Sequence, residues 1–303
     1  MRPPDGQGRR GRGRMRINLY TDAPKHNLAL MKISAWHKAN GDEVTLNMPI
    51  MSCDYSYASI LFEKNKKMFN ADEYGGIAFN DDVCLPNQIE SIKPDYSLFN
   101  YRPVLAYRGN RKSIKYDYSI GYTFRPCFRK CLFCKVPKMK HPDTNHHSIW
   151  EFHNPNFSII ELLNNNTFFD PQWRETFHEI WDANLTLREH GFDLRLIDEE
   201  KVEYLKKTKI KGHIHYAWDR MEDESAILEG LKIAPHGGVY VLIGFNTTEE
   251  EDIYRCQKIV DHGHDPYIMP YHQNRTEKRF KRFIDSFMWR KYKTIQEAWE
   301  NYR

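Results

Sequence analysis

Strand-like and helix-like segments alternate along most of this chain, and that alternation limits the folds it can adopt. From residue 116 onward, six apolar runs of strand length occur at 116–123, 157–163, 192–197, 213–218, 238–243 and 266–271. The segments between them have helical periodicity, most clearly at 172–190, 199–207, 223–233 and 248–262. Strands that alternate with helices favour a parallel sheet with crossover connections. Six such units are fewer than the eight of a closed barrel, so an incomplete barrel of parallel strands is expected over residues 116–278.

The same alternation occurs on a smaller scale in the N-terminal third of the chain. Strands are predicted at 16–20, 43–48 and 75–79, with helices at 26–40 and 55–68. This pattern predicts a small parallel α/β domain over residues 15–100. Residues 101–115 are basic and poorly periodic, which predicts a connector between two domains. Residues 279–303 repeat apolar side chains at helical spacing, which predicts a C-terminal helical segment.

The net charge of +4 has a single source in the sequence. Residues 1–14 carry five arginines and one aspartate, which accounts for the whole excess. A short segment rich in Gly, Arg and Pro cannot bury a core, so we expect it to be disordered. We interpret it as an upstream start, with Met15 the true beginning, and an RNA-contacting arm is the alternative.

Composition also restricts the cellular setting. No run of 18 apolar residues is present, so no membrane-spanning helix is expected. The basic start is not followed by the apolar core of a signal peptide. Six cysteines in 303 residues do not make a disulfide scaffold. We therefore expect a cytoplasmic protein in a reducing environment.

Three of the cysteines form the most specific chemical motif. Cys127, Cys131 and Cys134 have the spacing C-x3-C-x2-C and directly follow the predicted strand at 116–123. Three thiolates can hold three corners of a four-iron, four-sulfur cluster, because such clusters are bound by cysteine sulfur. The fourth iron would then be open to a ligand. A zinc site is the alternative, with a fourth ligand from a downstream histidine such as His141 or His146.

The stretch from Gly121 to Cys134 resembles the cluster loop of the radical S-adenosylmethionine (radical SAM) superfamily, which shares this spacing and the aromatic residue, here Phe133, before the last cysteine. The resemblance implies a partial (βα)6 barrel of the TIM type that holds a 4Fe-4S cluster and S-adenosylmethionine. It also implies reductive cleavage of S-adenosylmethionine to methionine and a 5′-deoxyadenosyl radical, with a reductant such as flavodoxin or ferredoxin as partner. The substrate does not follow from it.

The resemblance also implies positions for contacts to S-adenosylmethionine at the ends of the predicted strands. The cofactor-binding candidates are Phe133, Asn164, Asn165, Arg195, Asp219, Gly244 and Phe245. Phe133, Gly244 and Phe245 would contact the adenine. The asparagines would accept hydrogen bonds from the amino group, and Arg195 would pair with the carboxylate. Asp219 would bind ribose hydroxyls or the amino group, and for both Arg195 and Asp219 an internal salt bridge is the alternative.

Residues 15–100 resemble the flavodoxin-like, cobalamin-binding-type domain that precedes some radical SAM barrels. The similarity lies in residues 27–34, in 41–44 and in the pair Gly75–Gly76. Cobalamin binders of the usual kind carry D-x-H-x-x-G, whereas Asp22 and His26 are four positions apart. We therefore expect the fold without cobalamin, and cobalamin bound without a histidine ligand is the alternative. The alternative for the whole chain is a non-catalytic binding protein stabilised by zinc or by an iron–sulfur cluster, including one that binds RNA.

Overall fold

Parallel β-sheets and α-helices make up the protein, as the alternation of segments predicted. The computed structural model describes residues 13–23, 25–79, 84–99, 117–139 and 143–302, together with the backbone of strands at 101–105 and 111–115. The chain divides into two compact units, residues 1–161 and residues 162–303. Among the described residues, no helix is long and apolar enough to cross a membrane.

The first unit is built on a four-stranded parallel sheet. Its strands are β1 (Arg16–Thr21), β2 (Glu43–Leu46), β3 (Tyr55–Ser59) and β4 (Glu73–Gly75), in the spatial order β2-β1-β3-β4. Helix α1 (Leu28–Ala39) begins after Asn27, whose side chain accepts a hydrogen bond from the backbone N–H of Leu30. The helix packs Leu30 and Ile33 into the same core as Ile17 and Leu19 of β1.

Two predictions for this unit are wrong. Residues 55–68 form strand β3 and a short 3₁₀ turn at Glu63–Asn65 instead of a helix, because β3 pairs with the central strand β1 and buries nearly all of its residues. The strand expected at 75–79 ends earlier, at Gly75. Gly76 has φ +88°, and a Cβ there would lie 2.3 Å from the carbonyl oxygen of Ile60. Only glycine fits this close, left-handed turn, and it ends the strand.

The remainder of the first unit contains two strands that the sequence did not predict. After helix α2 (Asn87–Glu90), strands β5 (Tyr101–Leu105) and β6 (Arg111–Lys115) pair antiparallel. Residues 101–115, predicted as a connector, therefore contain two paired strands. Strand β7 (Tyr118–Gly121) follows, and its neighbour in the sheet is β8 (Ile159–Leu162); both lie within the strands predicted at 116–123 and 157–163.

The second unit repeats strand and helix as expected. Strand β9 (Thr186–Arg188) precedes three parallel strands, β10 (Ile214–Trp218), β11 (Gly237–Ile243) and β12 (Asp265–Pro270), which pair in chain order. The helices of this unit are α3 (Trp173–Asp182), α4 (Glu199–Lys207), α5 (Glu224–Ile233), α6 (Glu249–Asp261), α7 (Arg275–Asp285) and α8 (Ile295–Glu300). The predicted capping box is confirmed, since Thr248 and Glu251 exchange hydrogen bonds at the start of α6.

Three boundaries in the second unit differ from the prediction. The helix expected over 172–190 stops at Asp182, because Asn184 adopts a left-handed conformation with φ +52° just after the cap. The strand expected at 192–197 is a 3₁₀ turn at Leu194–Leu196, although Phe192 forms a parallel bridge to Tyr216 of β10. The C-terminal segment is two helices, since Phe287 has φ +56° and ends the first of them.

Candidate functional site

The three cysteines of the motif lie on an irregular loop that begins where β7 ends. Cys127, Cys131 and Cys134 are half-buried, and none of the three forms a disulfide. A turn closes between Cys131 and Cys134, where the backbone N–H of Cys134 donates to the carbonyl of Cys131 at 3.0 Å. The N–H of Val136 donates to Cys134 Sγ at 3.4 Å. Hydrogen bonds to cysteine sulfur are among the interactions that tune iron–sulfur clusters.

The chemistry of this donor set fits a cluster with three cysteine ligands, since three uncrosslinked thiols lie within eight residues of one loop. The arrangement of the loop is a separate matter. Over the described part of the chain, no three Cys, His, Asp or Glu side chains are gathered as a metal-binding group. Loading a cluster therefore requires the loop to draw the three sulfurs together. Phe133 is half-buried beside them, whereas its neighbour Leu132 is 77% exposed.

A second set of candidate residues lies in the 162–303 unit, where strands and turns end in polar side chains. Asn166 Nδ2 donates to Asp193 Oδ2 at 3.0 Å. Arg195 donates to both oxygens of Asp193, at 2.6 and 2.9 Å, and to Asp223 at 2.7 Å. Arg195 therefore forms the internal salt bridge that was the alternative in the sequence analysis, because its guanidinium pairs with Asp193 and Asp223. Arg220 completes the network by pairing with Asp223.

Asp219 directly follows β10 and differs from the neighbouring acids. Its carboxylate makes no hydrogen bond within the described residues, although it is only partly exposed. Burial raises the pKa of Asp219 to about 6, because the nearby positive charges of Arg195 and Arg255 offset only part of the desolvation. A carboxyl group with such a pKa exchanges protons close to neutral pH.

Arg255 of helix α6 holds the ends of two strands together. It is fully buried and donates to the carbonyl of Trp218 at 2.8 Å and to that of Leu242 at 2.7 Å. It also pairs with Asp252 one helical turn earlier, at 2.5 Å. Its Nε is a buried donor without a partner among the described residues. A single buried side chain therefore holds the carboxyl ends of β10 and β11 together.

Gly244, the glycine expected to admit a ligand, is closely approached by a side chain of the protein. Gly244 has φ +77°, and a Cβ there would lie 2.5 Å from Glu277 Oε1. The other carboxylate oxygen of Glu277 accepts the backbone N–H groups of His272 and Gln273. Phe245 follows in a half-buried position and packs edge-on against Tyr271, with ring centroids 4.9 Å apart. Gly244 therefore leaves room for Glu277, whose carboxylate binds the backbone of the loop at His272 and Gln273. The sequence alone did not predict this contact.

The three asparagines after β8 have different surroundings. Asn164 donates to Thr167 Oγ1 at 3.2 Å, and Asn165 is exposed. Asn166, which the sequence did not mark as a candidate, is the buried one, and its Oδ1 has no hydrogen-bond partner among the described residues. A buried acceptor without a donor is costly, so it is suited to a ligand that brings an N–H or O–H group.

The strand-end set offers mainly acceptors. Asn166 Oδ1 has no partner within the described residues and the Asp219 carboxylate makes no hydrogen bond there, whereas Arg195 and Arg255 are engaged except for the buried Nε of Arg255. Such a site suits a ligand that presents ammonium or hydroxyl groups. The sequence held one signal for this set, the acidic and basic residues that follow successive strands. It held none for Arg255, which reaches the strand ends from a helix. No family model, curated protein or solved structure matches the chain.

Proposed function

We propose that this protein is a radical SAM enzyme, in which Cys127, Cys131 and Cys134 bind a 4Fe-4S cluster. The observation that carries the proposal is the C-x3-C-x2-C spacing of three cysteines without disulfides on the loop after β7, at the start of a strand–helix repeat. A loop of this kind at the carboxyl end of a strand is where parallel α/β proteins keep their reactive groups.

The finer architecture belongs to the same proposal. The order β2-β1-β3-β4 agrees with the flavodoxin-like order of parallel strands, which supports that fold for the sheet of the first unit. Strands β10, β11 and β12 follow one another in space as in the chain, with a helix between each pair, which supports a partial barrel for the later part of the chain. The proposal includes no cobalamin.

The strand-end acceptors support binding of S-adenosylmethionine. The buried Oδ1 of Asn166 would accept a hydrogen bond from the amino group, and Asp219 would accept bonds from the amino group or the ribose hydroxyls. Arg195 would act through Asp193, which it holds in place for Asn166, and Arg255 would fix the strand ends that carry these residues.

When bound, a cluster of this type supplies one electron to S-adenosylmethionine, whose sulfur–C5′ bond breaks to give methionine and a 5′-deoxyadenosyl radical that removes hydrogen from a substrate. The protein's own tasks are to hold the sulfurs, to orient the cofactor through hydrogen bonds and to exclude water from the reacting atoms.

The test is anaerobic reconstitution with iron and sulfide, followed by dithionite and S-adenosylmethionine and by mass spectrometry of 5′-deoxyadenosine. We expect 5′-deoxyadenosine above background from the wild-type chain. Cys134→Ala should abolish it, because two remaining thiolates do not hold the cluster. Cys53→Ala is the matched control, since Cys53 is also a half-buried free thiol but lies outside the loop.

Wild-type turnover in Cys127→Ala, Cys131→Ala or Cys134→Ala would refute the ligand assignment. Zinc in the purified protein, bound through the same cysteines and without any product, would favour the metal-stabilised binding protein instead. A cluster whose spectrum does not change on addition of S-adenosylmethionine would favour a structural or electron-storing role.

A further inference from the structure

A cleft of about 350 Å³ in the first unit is large enough for a small organic ligand. It is lined by residues of α1, α2, the end of β7 and the segment 143–152. Tyr122 and Arg125, which immediately precede the cysteine loop, form part of its wall. Its charged lining residues form two groups, a basic one in which Lys32 and Arg125 pair with Glu90 and an acidic one in which Asp143 and Glu151 pair with His147.

On the basic side, two cations converge on one carboxylate oxygen. Lys32 Nζ lies 2.6 Å from Glu90 Oε1, and the same oxygen accepts a hydrogen bond from Arg125. The side chain of Lys32 is only 12% exposed. Burial lowers the pKa of Lys32, although Glu90 opposes the shift. A desolvated ammonium gains when an anion approaches it.

On the acidic side, two carboxylates enclose one imidazole. His147 contacts Asp143 through Nε2 at 2.5 Å and Glu151 through Nδ1 at 2.9 Å. Burial alone would lower the pKa of His147, but the hydrogen bonds that its imidazole donates to Glu151 and Asp143 outweigh burial and raise the pKa. Even with a charged imidazole, two carboxylates leave this side with an excess negative charge.

Apolar surface also lines the cleft, through Tyr122, Ile92 and Phe152. The guanidinium of Arg125 stacks on the ring of Tyr122 at 4.4 Å, which fixes both groups. The Tyr122 hydroxyl makes no hydrogen bond within the described residues. The cleft thus combines a cationic side, an anionic side and an apolar wall.

We propose that this cleft binds the α-amino acid group of a ligand, with its carboxylate at Lys32 and Arg125 and its ammonium at Asp143 and Glu151. A zwitterion matches a bipolar lining because each end meets the opposite charge. The inference deepens the proposed function by naming the substrate class, an amino acid or a molecule with an amino acid group. It rests on that function only for calling the ligand a substrate.

Binding of L-phenylalanine to the purified full-length chain tests the inference by calorimetry, without iron or S-adenosylmethionine. Its outcome is therefore independent of whether the chain cleaves S-adenosylmethionine. We expect L-phenylalanine to bind, and to bind more tightly than glycine because its ring adds contact with the apolar wall. Arg125→Gln and Glu151→Gln should each weaken binding at least tenfold. Arg174→Gln, which removes an exposed ion pair with Glu200 outside the cleft, is the control.

Modified ligands test the same contacts on the wild-type protein, so this part of the experiment does not depend on whether the variants fold. L-phenylalanine methyl ester lacks the carboxylate, and N-acetyl-L-phenylalanine lacks the ammonium. Both should bind at least tenfold more weakly than the parent. Arg125→Gln should not change the affinity for the ester, and Glu151→Gln should not change the affinity for the acetyl compound. Equal binding of the parent and both derivatives, or no binding of L-phenylalanine at millimolar concentration, would overturn the proposal. Displacement of the probe by S-adenosylmethionine, with the same dependence on both residues, would overturn the assignment to a substrate, because that cofactor carries an α-amino acid group itself.

Discussion

Single residues in this protein carry the clearest chemical information, and Asp219 is the sharpest case. Most acidic side chains around it are engaged in ion pairs, as Asp193 and Asp223 are with Arg195. Asp219 is held in a partly buried position without such a bond, and burial raises its pKa to about 6. A protein tolerates a destabilised acid where function requires it.

Asp219→Asn should therefore stabilise the folded chain at neutral pH. An acid whose pKa is raised on folding binds more protons in the folded state, so stability falls as pH rises from about 4 to 6. Removing the charge should increase the free energy of unfolding at pH 7.5 by up to about 3 kcal/mol, because the pKa rises by about two units from its ordinary value of 3.8 and each unit corresponds to about 1.4 kcal/mol. Urea unfolding at pH 4.5 and 7.5 measures the difference, which should shrink at the lower pH. Asp182→Asn, at an exposed position, is the control. A stabilisation that does not change with pH would contradict the explanation.

At the scale of elements, Arg255 couples helix α6 to the carboxyl ends of β10 and β11. One buried guanidinium satisfies two backbone carbonyls and one carboxylate. The strand ends carry Asp219 and Gly244, so the helix positions the candidate site without contacting a ligand itself. A sequence motif identifies the cysteine loop, whereas no motif predicts the contacts of Arg255.

Arg255→Met should destabilise the protein by about 3 kcal/mol, because it leaves Asp252 and two carbonyls without a buried donor. Arg174→Met removes an exposed pair with Glu200 and should cost less than about 1 kcal/mol. Urea unfolding of both variants at one pH measures the contrast. Equal losses would show that Arg255 does not hold the strand ends in the way the hydrogen bonds indicate.

At the scale of the whole molecule, charge is unevenly distributed along the chain. The excess of +4 equals the net charge of residues 1–14, so the remaining chain is close to neutral. Affinity for polyanions that arises from net charge should therefore reside in that segment.

A chain that begins at Met15 should bind a single-stranded RNA oligonucleotide at least tenfold more weakly at 50 mM salt than the full chain. Fluorescence anisotropy over a salt series measures both the affinity and its salt dependence, which should also become shallower. Iron loading by the cysteine loop should be unchanged, which controls for folding. Unchanged RNA affinity would show that the RNA contacts lie outside residues 1–14. The exposed Arg275, Lys278 and Arg282 of α7 would then be the next residues to test.

The sequence predicted segments whose local pattern and local caps agree. Helix α4 has its predicted bounds, and α6 begins at the predicted capping box. The prediction failed at residues 55–68 and 192–197, where pairing with another strand or a local turn outweighed periodicity. Asn184 and Phe287, both with positive φ, ended helices in places that apolar spacing did not mark.

By itself, the sequence determined the alternation of strands and helices, the location of the charge and the cysteine spacing, because each depends on residues close together in the chain. Only the tertiary structure decided that Arg195 is occupied by Asp193 and Asp223, that Asn166 rather than Asn165 is buried, and that Glu277 approaches Gly244. It also brought Lys32 and Arg125, far apart in sequence, to one carboxylate. Burial and partner choice depend on which distant segments pack together, and periodicity along a chain does not encode that packing.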